Sequence, residues 1–381
     1  MISKKILFVF GTRPEAVKMA VPILELKKRK NVELKICVSG QHRELLDGVL
    51  DIFDIKPDFD LNIMKHGQDL SDISSTLILG LRDVFKQFSA DVVAVHGDTT
   101  TAFISALAAY YQKINVAHIE AGLRTNNIYS PFPEEGNRKM IDAISSFLFA
   151  PTKHNEKALL SENIDASKIF VTGNTVIDAL FEMRNRINSN ENLQINIIEN
   201  IKKSGYLFDE NRKIVLITTH RRENIGENLS QIYEAINTLA QDNADCDFLI
   251  VLHPNPVLAQ IIEPIVVHTE NIKILRNIDY YSFMFLTSKA YIIMTDSGGI
   301  QEEAPSFGVP VFILRNETER PEGVECGVAK LLGASKDFII SQVSQILKNP
   351  QIRNSMVCKE SPYGDGKASQ RIADILCRDI L

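Results

Sequence analysis

Short, continuous apolar runs recur along the chain, and each stops abruptly at a polar or glycine-containing turn. The first series is Ile6–Phe10, Leu34–Val38, Val92–Val95, Val116–Ile119, Phe147–Ala150 and Ile169–Val171. A second series is Ile214–Thr218, Phe248–Leu252, Ile272–Leu275, Tyr291–Met294 and Val311–Leu314. Runs so rich in Val, Ile and Leu predict strands buried on both faces. Between most of them apolar residues recur at helical spacing, as in Leu70–Phe88 and Leu229–Leu239. This alternation predicts doubly wound α/β sheets.

The 381 residues exceed one typical core, so two domains are expected. Residues 184–212 are polar and Asn-rich, separate the two series and predict a short helix. The junction is placed just before them, at Gly173-Asn174-Thr175, giving domains 1–172 and 173–365. A glycine-punctuated loop, Ser361–Gly366, precedes a last helix.

Composition narrows the class of protein. Apolar residues make up 45% and charged residues 24%, as in ordinary globular proteins. A net charge of -6 argues against a nucleic-acid partner, while leaving room for a local basic pocket. The cysteines at 37, 246, 326, 358 and 377 form no C-x-x-C pair, which predicts reduced thiols and no zinc site. Ile6–Phe10 is shorter than the roughly 7–15 residues of a signal-peptide core. No run approaches the roughly 18 apolar residues of a membrane span. A cytoplasmic protein without a membrane partner is expected.

The abrupt strand ends carry the chemistry. Val92–Val95 runs into His96-Gly97-Asp98, and Val116–Ile119 into Glu120-Ala121-Gly122-Leu123-Arg124. Pro133-Glu134-Glu135-Gly136-Asn137-Arg138 then leads into a helix. In parallel sheets such residues sit at the carboxyl edge, where open α/β folds bind ligands. Asp98, Glu120 and Glu134, with Arg124 and Arg138 nearby, predict acid/base chemistry on a small molecule. Asp98 and Glu134 are equally placed to cap helices or complement their dipoles; Glu120 is harder to explain that way. His96 and His118 close their strands and are expected as supporting or hydrogen-bonded core residues.

Gly11-Thr12-Arg13-Pro14 follows the first strand. A glycine there lets backbone amides approach a ligand. Pro14 suits a first helical turn, and Arg13 and Lys18 add cations where a phosphate would meet the helix dipole. The spacing is neither G-x-G-x-x-G nor G-x-x-x-x-G-K, which argues against a dinucleotide or P-loop site. A capped helix with surface charges explains the same residues. Thr295-Asp296-Ser297-Gly298-Gly299 offers a row of N–H groups and the Ser297 hydroxyl, a cradle for a diphosphate. Glu302 and Glu303 follow, placed for a sugar hydroxyl or for the helix dipole. His220, ahead of Arg221 and Arg222, and His253 stand at further strand ends; His220 is the stronger candidate.

Together these segments resemble a known family. GTRPEAVKMA, VHGDTTT, HIEAGLRT, YSPFPEEGNR, TGNTVIDAL, THRREN, TDSGGIQEEAPS, ETERPEG and PYGDG stand in this order over nearly the whole chain, within a resemblance that spans residues 5–376. The set resembles the non-hydrolysing bacterial UDP-N-acetylglucosamine 2-epimerases. The resemblance implies two Rossmann-like doubly wound domains facing across a cleft, the GT-B fold. It implies that the terminal helix, residues 366–381, packs back on the first domain. It also implies a homodimer, domain closure around the nucleotide sugar, and no cofactor or metal. The implied reaction converts UDP-GlcNAc and UDP-ManNAc reversibly, by anti elimination of UDP to 2-acetamidoglucal and re-addition. The product would supply cell-surface polysaccharide.

Carried onto this sequence, the resemblance makes Asp98, Glu120 and Glu134 the acid/base groups, with base and acid unassigned. His220 and Arg138 would assist. Arg13, Lys18, Phe283, Ser297, Gly298, Gly299, Glu303 and Arg320 would hold the nucleotide sugar, with Phe283 near uracil. Some members bind a second UDP-GlcNAc as an activator, at positions matching Gln41, Glu44, Glu134, Arg138, Arg221 and His253. Here Glu44 stands where those members carry Gln, and Gly67 where they carry Arg, which implies weakened activation. Two other functions share features of the chain. A GT-B glycosyltransferase has the architecture and the diphosphate cradle, but mainly needs one base and an acceptor groove. A silent nucleotide-sugar sensor has no need of Asp98, Glu120, Glu134 and His220 together.

Overall fold

The structure, a computed structural model, describes residues 3–40, 43–65, 67–253, 255–267, 269–358 and 361–378. The chain divides into two units, Met1–Glu182 with Tyr363–Leu381, and Met183–Pro362. Among the described residues each unit carries one parallel sheet with helices between its strands, the two Rossmann-like units expected.

In the first unit the strands are β1 (Lys4–Phe10), β2 (Val32–Val38), β3 (Phe59–Asp60), β4 (Val92–His96), β5 (Asn115–Ile119), β6 (Phe147–Ala150) and β7 (Ile169–Val171). Their order is β3-β2-β1-β4-β5-β6-β7. The apolar runs sit at its centre: Ile6–Phe10 and Val92–Val95 are buried, with Ile6 opposite Val92. The chain winds outward from β1 to β3, then crosses back to β4 and winds the other way. The loops after β1 and β4 therefore diverge, which opens the ligand crevice of such sheets.

In the second unit β8 (Lys213–Thr218), β9 (Cys246–Val251), β10 (Ile272–Leu275), β11 (Ile292–Thr295), β12 (Val311–Ile313) and β13 (Ala329–Leu331) follow the order β10-β9-β8-β11-β12-β13. The reversal here lies between β8 and β11. Two strands lie outside the apolar runs, Phe59–Asp60 and Ala329–Leu331. Both are short edge strands, and each includes a charged residue that the edge leaves solvated.

The boundary between the units falls at Glu182/Met183, beyond the expected 172/173. The reason is tertiary. Asn174 donates its main-chain N–H to Tyr363 O (2.8 Å), and the amides of Ala368 and Ser369 donate to Asp178 (3.2 and 2.7 Å). The start of helix Thr175–Asn188 is thereby tied to the C-terminal segment. Helix Ala368–Leu376 packs on helix Arg13–Lys27, and Arg29 meets Asp374 at 2.5 Å. The polar stretch 184–212 carries helix Glu191–Lys203, longer than expected. Asn190 caps it by accepting from Leu193 N, and Ile197 and Ile201, four apart, bury one stripe.

Candidate active site

The first loop departs from its expected role. Glu15, in the first turn after β1, is fully buried and accepts from Gly11 N (3.0 Å), Thr12 N (2.8 Å) and Thr12 Oγ1 (2.8 Å). It also accepts from Thr99 Oγ1 at 2.7 Å. The amides expected to approach a ligand are thus occupied by a carboxylate of the chain itself. Burial raises the Glu15 carboxyl above its usual value. Arg13 is exposed, whereas Lys18 is buried and donates through Nζ to Glu120 Oε1.

Glu120 follows β5 in a left-handed conformation, φ 70°, which turns its side chain at the sheet edge. Oε1 also accepts from Asn174 Nδ2 (3.2 Å), and Oε2 lies 3.6 Å from His96 Nε2. That nitrogen is buried without a hydrogen-bond partner among the described residues. Burial, partly offset by the Glu120 charge, pushes the His96 imidazole down to about 4.

Asp98 is not the helix cap. Thr99 takes that place, accepting from Ala102 N, and Asp98 Oδ2 is left to receive Arg138 Nη2 at 2.5 Å. Asn137 Nδ2 donates to Asp98 O at 2.8 Å. Arg138 is held from its other side by fully buried Glu135 at 2.8 Å. Glu135 in turn accepts the amides of Thr125 and Asn126, each at 3.1 Å. Glu134 is half-buried, and its Oε2 is buried without a hydrogen-bond partner among the described residues. The two carboxylate loops adjoin: a Cβ at Gly97 would lie 3.6 Å from Glu120 Oε2. Arg124, by contrast, turns away from the carboxylate edge, bonding Asp142 and Glu162 at 2.7 Å each.

The second unit is organised around a residue passed over in the sequence. Asp296, fully buried after β11, accepts His220 N (3.0 Å), Arg221 N (3.0 Å) and Asn224 Nδ2 (2.9 Å). His220 Nδ1 stands 3.4 Å from Asp296 Oδ1, and the His220 ring stacks on His253 with centroids 5.4 Å apart. Arg221 Nε is buried without a hydrogen-bond partner among the described residues. Gly298 and Gly299 open helix Gly298–Glu303, so their N–H groups belong to its unsatisfied first turn. Arg320 lies close over Gly298: a Cβ there would sit 2.6 Å from Arg320 Nη1, so a side chain would displace the guanidinium. Arg320 Nε donates to buried Glu302 at 2.6 Å, so the buried member of the Glu302–Glu303 pair anchors the arginine. Glu303 and Phe283 are half-buried; Phe283 packs on the apolar cluster that includes Leu286 and Ile293.

Gln41 and the side chain of Glu44 lie outside the described residues. Gly67 has φ 79° with open space where a side chain would be. Asn174, Glu135, Glu15 and Asp296 are the site residues that sequence reasoning missed. Asn174 marks the expected domain junction and falls in the TGNTVIDAL segment without a role of its own, and Asp296 stands in a segment valued for its glycines. Among the described residues no group of His, Cys, Asp and Glu is arranged to hold a metal, and no helix is long and apolar enough to cross a membrane.

Comparison with known proteins gives a consistent result. Residues 24–377 match the family model described as UDP-N-acetylglucosamine 2-epimerase. The Campylobacter jejuni UDP-N-acetylglucosamine 2-epimerase is 46% identical over 375 residues, covering 98% of both chains. The crystal structure of the Neisseria meningitidis UDP-GlcNAc 2-epimerase bound to UDP-GlcNAc superposes with a TM-score of 0.91 at 46% identity, covering 98% of this chain and 99% of that one. A Methanocaldococcus jannaschii UDP-GlcNAc 2-epimerase in complex with UDP-GlcNAc and UDP gives 0.82 at 33% identity, with 98% and 99% covered.

Proposed function

The chain belongs to the UDP-N-acetylglucosamine 2-epimerase family, an isomerase family, and from that premise we propose that it reversibly inverts C2 of UDP-N-acetylglucosamine to give UDP-N-acetylmannosamine. The observation that carries this reading is the pair of carboxylates at neighbouring strand ends, each with its own cation: Asp98 with Arg138, and Glu120 with Lys18. Inversion at C2 needs a proton taken from one face and another delivered to the opposite face. Two separately held carboxylates suit that demand, and each positioned acid or base supplies roughly 10²–10⁴-fold.

In the proposed path a base takes the C2 proton while the C1–O bond breaks. The C–H electron pair becomes the C1=C2 bond of 2-acetamidoglucal, and UDP leaves with the electrons of the C1–O bond. C2 is then protonated on its other face and UDP re-adds at C1. No net redox change occurs, so no nicotinamide or other cofactor is called for. Asp98, Glu120 and Glu134 share the proton steps; Glu134 Oε2, buried without a hydrogen-bond partner among the described residues, supports its part in them. Arg138 and His220 assist. Donors at the second unit's strand ends, the Gly298 and Gly299 amides, Ser297 and Arg320, stabilise the charge growing on UDP. Arg13, Lys18, Glu303 and Phe283 complete the binding set.

We place the enzyme in the cytoplasm as a homodimer. Exposed Leu79, Tyr110 and Tyr111, on the packed helices Leu70–Gln87 and Thr100–Tyr111, offer apolar surface for a second copy. Gln41, Glu44, Glu134, Arg138, Arg221 and His253 would border an activator site, weakened by the Glu44 carboxylate and by the missing cation at Gly67. The test is NMR of UDP-GlcNAc with the enzyme in D₂O. Formation of the epimer with deuterium at C2 is expected. An untouched C2–H would mean a transferase or a silent binder instead. The same experiment begun from UDP-ManNAc alone should proceed; an absolute need for added UDP-GlcNAc would contradict weakened activation.

A further inference from the structure

Two buried groups join the loops that carry Asp98 and Glu120. His118 on β5 is fully buried, and both ring nitrogens face acceptors: Nε2 meets Gly97 O at 2.7 Å, and Nδ1 meets Asp142 Oδ1 at 2.5 Å. A carbonyl only accepts, so Nε2 is the donor to Gly97. One proton lies between Nδ1 and Asp142. The other oxygen of Asp142 accepts Gly122 N (3.3 Å) and Arg124 Nη2 (2.7 Å). Arg124 is itself clamped by Glu162 at 2.9 and 2.7 Å, and Lys139 meets Glu162 at 3.0 Å.

The backbone groups at the ends of this chain are not arbitrary. Gly97 immediately precedes Asp98, and Gly122 follows Glu120 by two residues. Both glycines adopt left-handed backbone, φ 65° and 86°, and a Cβ at Gly122 would strike Asn155 O at 2.5 Å. Each loop leaves its strand at an angle that few other residues tolerate. Each is then held there by one end of the same buried hydrogen-bonded pair.

We propose that His118 and Asp142 form a positioning strut that fixes the spacing of the Asp98 and Glu120 loops, without touching substrate. This rests on Asp98 and Glu120 being the acid/base groups. A 1 Å misplacement of such groups can cost about 10²-fold in rate. Each end of the strut should therefore affect both loops.

The experiment compares wild-type enzyme with His118→Gln and the milder Asp142→Asn. Hydrogen exchange is followed in segments 97–101 and 119–124, and kcat and KM are measured per folded molecule. In both variants both segments should gain deuterium faster. At the same time kcat should fall at least tenfold, with KM within about twofold. Faster exchange confined to the loop nearer the substitution overturns the strut. So does faster exchange in both loops with unchanged kcat. If wild-type enzyme fails to epimerise UDP-GlcNAc, the proposed activity falls, and the exchange result still decides whether the strut exists.

Discussion

The carboxyl edges of the two sheets have the same topology and opposite charge logic. In the first unit the carboxylates Asp98 and Glu120 stand at the strand ends, and the cations Arg138 and Lys18 are spent on them. In the second unit the carboxylates lie underneath. Asp296 gathers the amides of His220 and Arg221, and Glu302 anchors Arg320, leaving donors at the edge. Buried anions that orient donors suit a diphosphate, whereas mouth anions steadied by cations suit proton transfer. Buried Glu15 and Glu135 orient donors in the first unit too, so the two sites differ by the acid pair added at the first unit's strand ends.

The sharpest way to break this division is at the first edge. Asp98→Asn and Glu120→Gln each keep shape while removing the exchangeable proton site. Each should lower kcat by about 10²–10⁴-fold, while UDP affinity, measured by calorimetry, stays within a few-fold. A large loss of UDP affinity with kcat nearly intact would reverse the assignment of the two edges.

The complementary change addresses the second edge. Arg320→Ala alone would remove the ion-pair partner of the buried Glu302 carboxylate, so Glu302→Gln should accompany it. Losing a charge-assisted contact worth about 1.5–3 kcal/mol predicts UDP binding roughly 10–100-fold weaker. The rate at saturating substrate should change far less. An unchanged UDP Kd would remove Arg320 from the anion site.

Much of this contrast was visible in the sequence, because the central strands are unbroken apolar runs and their ends are abruptly polar. What escaped is what tertiary pairing decides. Nothing local shows that Glu15 fills the Gly11 and Thr12 amides, because its fourth donor, Thr99, lies 84 residues away. Nor does spacing reveal that Asn174 bonds Glu120 across 54 residues. The sequence alone allows Asp98 as a helix cap; the structure shows that Thr99 caps and Asp98 is released to Arg138. The edge strands at Phe59 and Ala329 were missed because an edge needs no apolar run.

The smallest expected effect concerns how each edge treats its histidine. His220 is partly exposed beside Asp296, whereas His96 is buried beside Glu120. Burial holds His96 at about 4 in the folded protein, against about 6.5 when unfolded. Between those values the unfolded chain binds the extra proton, so stability rises with pH through this window. The His96 contribution is full above about pH 6.5 and is lost as pH falls toward 4. At pH 5.5, one unit below the unfolded value, the loss is about 1.4 kcal/mol. His96→Gln, which cannot take up that proton, should flatten the fall in thermal midpoint between pH 7.5 and 5.5 relative to wild type. Its effect should be concentrated in hydrogen exchange of β4 and β5, since only the first edge buries a histidine against its carboxylate. An identical pH slope in the variant would show that the first edge tolerates a charged His96. The contrast between the two edges would then rest on their carboxylates alone.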